Sequence, residues 1–191
     1  MKYLNVSLTG LRGKRHPALS GLVTTHQVRK SRIHIKMLAG DYLTFEIKSK
    51  RSGGSSNCRC CPESQQKIED LTHILSECIA FEEIRERMLP EFSEVCKTSK
   101  SNINFEEITK DNETLCQFIL DPTSFNLQRR IHSNDPSLSK LFELSRDYCH
   151  TINNTRMKLL QKKKWWNITG ITIRLYSQHC KIWMIEMWIM G

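Results

Sequence analysis

Long apolar runs are missing from these 191 residues. A membrane-spanning helix needs about 18 to 20 consecutive apolar side chains. The nearest candidate, IWMIEMWIM at residues 182 to 190, has about half that length and is interrupted by Glu186. No apolar leader follows Met1, so neither a transmembrane segment nor a secretory signal is expected, and the default is an intracellular protein, cytoplasmic or nuclear. Apolar residues make up 39% of the chain and mean hydropathy is −0.46, which allows a modest core and excludes a large one. Acid is scarce at both ends. Residues 1–51 hold 2 Asp+Glu against 11 Lys+Arg, and residues 156–191 hold 1 against 7. Residues 52–155 reverse the balance, with 17 acids against 11 bases, inside a net charge of +9.

Cysteine, in contrast, is plentiful. Four of the eight cysteines, with His73, fall in NCRCCPESQQKIEDLTHILSEC, residues 57 to 78. An intracellular chain keeps its thiols reduced, so this density points to metal ligation plus core packing rather than to a disulfide framework. Cys58 and Cys61 read as C-x2-C, a gap that lets a tight turn aim two sulfurs at one ion, and His73 and Cys78 follow as H-x4-C. Together they make a Zn2+ ligand set of three thiolates and one imidazole. On a regular α-helix His73 and Cys78, five residues apart, would lie about 140° apart around the axis. The spacing therefore predicts a helix that is distorted in its first turn or begins near His73. CRCC offers three sulfurs for two places. Cys58 with Cys61 is the preferred pair and Cys60 a spare thiol, although Cys60 in place of Cys58 stays open.

The rest of the chain reads as helices joined by polar loops. Residues 1–23 form a basic arm ending in LRGKRHPALSGL, whose Gly13, Pro17 and Gly21 mark a linker. A helix is predicted over residues 26–39, capped by Thr24 or Thr25, with Val28, Ile35 and Leu38 as its apolar face; RIHIKML also alternates like a strand. His26 and His34 read as surface or core side chains. Thr44 caps a short helix over residues 45–50, and SGGSS makes a hinge into the cysteines. Ile74, Cys78, Phe81, Ile84 and Met88 recur at helical spacing up to Pro90, where that helix is expected to stop. Residues 91–134 read as loops around one short helix near residues 112–122. Asp135 and Pro136 open a long helix to about Lys162, within a segment 135–164. Residues 165–191 hold all four tryptophans and form a hydrophobic, poorly structured tail. The fold class is mainly α: a small helical domain, residues 24–90, organised around a CCHC zinc site.

Basic stretches such as HQVRKSRIHIK make a plausible phosphate-contacting surface, with Arg29, Lys30, Arg32 and Lys36 as candidate contacts. Arg59 is the one basic residue inside the cysteine loop. A solvated helix face has the same composition, so charge alone does not decide between them.

From His16 to about Leu160 the chain resembles the C-terminal region of reverse-transcriptase proteins encoded by arthropod non-LTR retrotransposons. The blocks that carry the likeness are HPALSGLVTTHQVRKSRIHIKMLAGDYLTFEIKSK, CRCC with EDLTHILSEC, IRERMLPEFSEVC, INFEEI, QFILDPTSFNL and LFELSRDYCHTIN, in that order. In that family a zinc-binding module follows the polymerase domain, with C-x2-C, a Glu four residues before the ligand His, and H-x4-C. Cys58, Cys61, Glu69, His73 and Cys78 match those places. Glu69-Asp70 stands where the family commonly has Glu-Thr, Cys60 is an added thiol, and the tail from Trp165 has no counterpart. The resemblance implies zinc, an RNA or DNA partner reached through phosphates, and the polymerase domain of a parent protein as a neighbour. Two-metal polymerisation needs paired aspartates. No Tyr or Phe-x-Asp-Asp segment occurs here, nor a His, Asp and Glu endonuclease constellation, so this chain alone is not expected to be an enzyme. The alternatives are a structural module that braces the polymerase and a translated fragment without a role.

Overall fold

A computed structural model describes Ala18 and residues 24–99, 103–125 and 136–189, the stretch 163–189 by backbone alone. The basic arm except Ala18, the Asp135 cap and the side chains of the hydrophobic tail lie outside the described residues. The chain divides into two units, Met1–Thr155 and Arg156–Gly191. The described residues are mainly helical, with no strand and one isolated antiparallel bridge, Asn57 with Ile68. None of the helices among them is long and apolar enough to cross a membrane.

Local signals set the starts of several helices. In α1 (Thr25–Leu38) the Thr24 hydroxyl accepts the Gln27 N–H and the Gln27 side chain accepts the Thr24 N–H, a reciprocal capping box. After Ala39 the chain turns at Gly40, whose φ of +73° suits a residue without Cβ. Thr44 caps α2 (Phe45–Ser52), and Asp111 caps α5 (Asn112–Leu120). Each cap stands where helix-forming sequence begins, as local chemistry requires.

Packing corrects several expectations. The buried face of α1 is Ser31, His34, Met37 and Leu38, while Val28 is 50% exposed. His34 is drawn inside because its Nε2 lies 2.8 Å from the Leu120 carbonyl at the end of α5, and Ser31 donates to the Ala18 carbonyl. The expected helix up to Pro90 is instead broken at Cys78 and then runs on. It starts as a π-helical turn, His73–Glu77, passes a 3-10 turn, Ile79–Phe81, and continues as α3 (Glu82–Thr98) with Pro90 inside it. Proline leaves the Glu86 carbonyl without its helical donor, but Glu86 and Pro90 both face solvent, where water can serve that carbonyl. Beyond the proline Phe92 and Cys96 are buried, and their burial carries the helix forward.

Phe92 is fully buried among the core aromatics. Its ring lies parallel to Phe105 in α4 (Phe105–Ile108) at 6.4 Å, and meets Phe118 of α5 at 6.1 Å and Tyr148 at 6.2 Å edge-on. Tyr148 belongs to α6 (Pro136–Ile189), whose backbone is helical past Lys162. Within the first unit, α6 buries Leu138, Leu141, Phe142, Ser145, Tyr148, Cys149 and Ile152, which recur at three- and four-residue steps along the helix.

Candidate metal centre

Two short pieces of backbone bring the ligands together. The loop from Cys58 to Lys67 is closed at its base by Cys58 N–H donating to the Lys67 carbonyl at 2.7 Å and Glu69 N–H donating to Ser56 at 2.9 Å. Across from it, Asp70 accepts the His73 N–H at 2.7 Å and starts the π-helical turn. That turn closes with Cys78 N–H donating to the His73 carbonyl, an i to i+5 bond of 2.7 Å. The wider turn is the distortion that H-x4-C demands, since a five-residue step does not return to the same face of an α-helix.

Cys58, Cys61, His73 and Cys78 are all buried, and one donor atom from each lies within 4.8 Å of the others. The Cys58 and Cys78 sulfurs are 3.8 Å apart, Cys61 and Cys78 are 3.4 Å apart, and Cys61 Sγ is 3.3 Å from His73 Nε2. Such separations are too long for a disulfide, and these cysteines are in the thiol form. Two sulfurs held at about 2.3 Å from one tetrahedral ion would be about 3.8 Å apart. The set can hold a metal ion, in the combination expected from the spacing.

Charge supports the fit. Hydrogen bonds from Cys60 and then Cys78 hold the Cys58 sulfur far below the ordinary thiol range. The same bond with Cys58, together with burial, pushes Cys78 far above it, and burial raises Cys61. A dication among them would favour the thiolate form of all three. A cavity of about 440 Å³ lined by Cys61, Lys67, His73, Glu77 and Arg85 among others opens beside the ligands.

Of the residues that support the ligands, only Glu69 was singled out in the sequence. Glu77 Oε2 lies 3.7 Å from His73 Nδ1, the ring nitrogen that faces away from the cysteines and has no hydrogen bond. Lys67 at 3.0 Å and Asn112 at 3.3 Å hold the Glu77 carboxylate, and the Lys67 hydrogen bond keeps that carboxyl below its usual range. The i+4 spacing from His73 was the available signal for Glu77. Glu69 is fully buried, and its Oε1 accepts the Phe45 N–H at 2.8 Å at the start of α2. Arg85 donates to the Cys78 carbonyl at 2.7 Å.

The candidate phosphate contacts divide into two groups. Arg29, Arg32 and Lys36 are exposed along one side of α1. Lys30 is paired with Asp147 at 2.7 Å, and the Arg59 guanidinium lies over the Phe45 ring, 4.8 Å from its centroid. Compared with family models, curated proteins and solved structures, the chain matches none.

Proposed function

We propose that this chain is a zinc-stapled helical module that binds nucleic acid through phosphate contacts. The carrying observation is the closed ligand set: one imidazole and three thiols, all buried around one point. Such a set suits Zn2+. With four protein ligands it leaves no position for substrate, so the ion's part is to hold the Cys58–Lys67 loop against the His73 turn rather than to do chemistry. The exposed side chains of Arg29, Arg32 and Lys36, spaced three and four residues apart on α1, support a surface that follows a phosphate backbone. Arg59, stacked on Phe45 beside the metal loop, adds a fixed cation.

On this reading the chain corresponds to the C-terminal module of a non-LTR retrotransposon RNA-directed DNA polymerase, acting beside a polymerase domain and not polymerising by itself. A second reading, an intramolecular brace, is favoured by the acidic stretch 52–155 and by the Lys30–Asp147 pair, which turns one of the basic side chains inward.

The full chain is expected to carry zinc at the four-ligand site by native mass spectrometry and to lose it, with helical signal, in a Cys61→Ser, His73→Ala variant. Binding to RNA and DNA should weaken with salt, and removing Arg29, Arg32 and Lys36 should lower the log–log slope by about 0.7 to 0.9 per charge. A folded chain without zinc overturns the module. Zinc with no salt-dependent binding leaves the brace.

A further inference from the structure

Cys60 and Glu69 lie outside the four-ligand set, yet both are buried beside it, 9% and 0% exposed. Donor atoms of Cys58, Cys60 and Glu69 also lie within 4.8 Å of one another. Cys58 thus belongs to two ligand groups at once.

The geometry around Glu69 is preset. Its Oε1 takes the Phe45 N–H, its own N–H bonds to Ser56, and its carbonyl takes the Glu46 N–H at 3.2 Å. The carboxylate is therefore held in the interior by bonds on both sides of its chain and does not need to be recruited. An ion with three thiolates carries a formal charge of minus one, and a carboxylate beside it adds like charge where water cannot screen it. A thiolate sulfur has lone pairs to spare and can bridge two soft ions.

We propose that Cys58, Cys60 and Glu69 form a second seat for a thiophilic dication, Zn2+ or Cd2+, bridged to the first through the Cys58 sulfur. The proposal rests on the four-ligand site described above. Cys60 releases its proton to solvent when it ligates. The added dication offsets the new thiolate and the Glu69 carboxylate, so the cluster keeps the formal charge it had with one ion and three thiolates. Two sulfurs with one oxygen select against Mg2+ and Ca2+, which take oxygen ligands. The second seat has one ligand fewer than the first and fills after it.

Titration of the metal-free full chain with Cd2+, followed by native mass spectrometry and thiolate-to-cadmium absorbance, tests this. The wild-type chain should take two equivalents. Cys60→Ser should take one and keep the wild-type circular dichroism. Glu69→Gln retains an oxygen for the Phe45 N–H and should lose the second equivalent but not the first. Saturation of the wild type at one equivalent overturns the second seat and leaves the four-ligand site standing. Uptake of none overturns both. Two equivalents retained in Cys60→Ser would put the second ion elsewhere and also overturn the proposal.

Discussion

The Tyr148 hydroxyl donates to the Leu75 carbonyl at 2.5 Å, joining α6 to the middle of the turn that presents His73. Both residues are fully buried, and the Tyr148 ring lies against Phe92. The aromatic core and the metal ligands are thus mechanically connected through one side chain. Tyr148→Phe keeps the ring and leaves the Leu75 carbonyl without this donor. We expect a loss of about 1 to 3 kcal/mol in urea unfolding, accompanied by weaker zinc retention against a chelator. Unchanged retention would separate the core from the site.

Glu77 is expected to act through His73. When Nε2 ligates an ion, Nδ1 carries the proton, and the Glu77 carboxylate 3.7 Å away is the acceptor poised for it. Glu77→Ala should therefore lower zinc affinity about 10- to 100-fold while leaving the wild-type zinc stoichiometry at saturation. Chelator competition measures the affinity; a wild-type value would remove Glu77 from the site.

Pro90 lies exposed in the interior of α3. Replacing it by alanine returns a donor to the Glu86 carbonyl and relieves the ring's clash with that turn. The helix gains about 3 kcal/mol from the substitution, offset by about 0.4 to 1 kcal/mol for the freer unfolded chain. Pro90→Ala should raise the denaturation midpoint; a fall would mean the proline shapes the helix in a way its packing requires.

Asp111 caps α5 by accepting the Thr114 hydroxyl at 2.6 Å and the Thr114 N–H at 2.8 Å. These bonds favour its ionised form and lower its pKa from the ordinary value, the hydroxyl contributing first. A carboxyl depressed on folding adds stability that is present above its unfolded pKa, about 4, and is lost as pH falls through the lower folded value. Asp111→Asn should decline less steeply over that acid range than the wild type. Parallel acid melts of the two chains, compared as a difference, would refute this if their slopes coincide.

What the sequence determined by itself is local. C-x2-C and H-x4-C named the four residues whose donors converge, because spacing along a turn limits where a short chain can aim its side chains. The five-residue step from His73 to Cys78 even foretold a distorted turn, which took the form of an i to i+5 bond. Thr24, Thr44 and Asp111 were decided by bonds reaching three residues along the chain. Tertiary structure decided the rest. Histidine at position 34 is buried because a carbonyl 86 residues away receives it, and Pro90 is carried inside a helix by the burial of Phe92 and Cys96 beyond it. Glu69 could be matched to a family position, but its bond to the Phe45 N–H crosses 24 residues. Periodicity states which faces are apolar. It does not state which distant backbone group awaits a polar side chain, and that partner determines whether burying the side chain costs free energy or stabilises the fold.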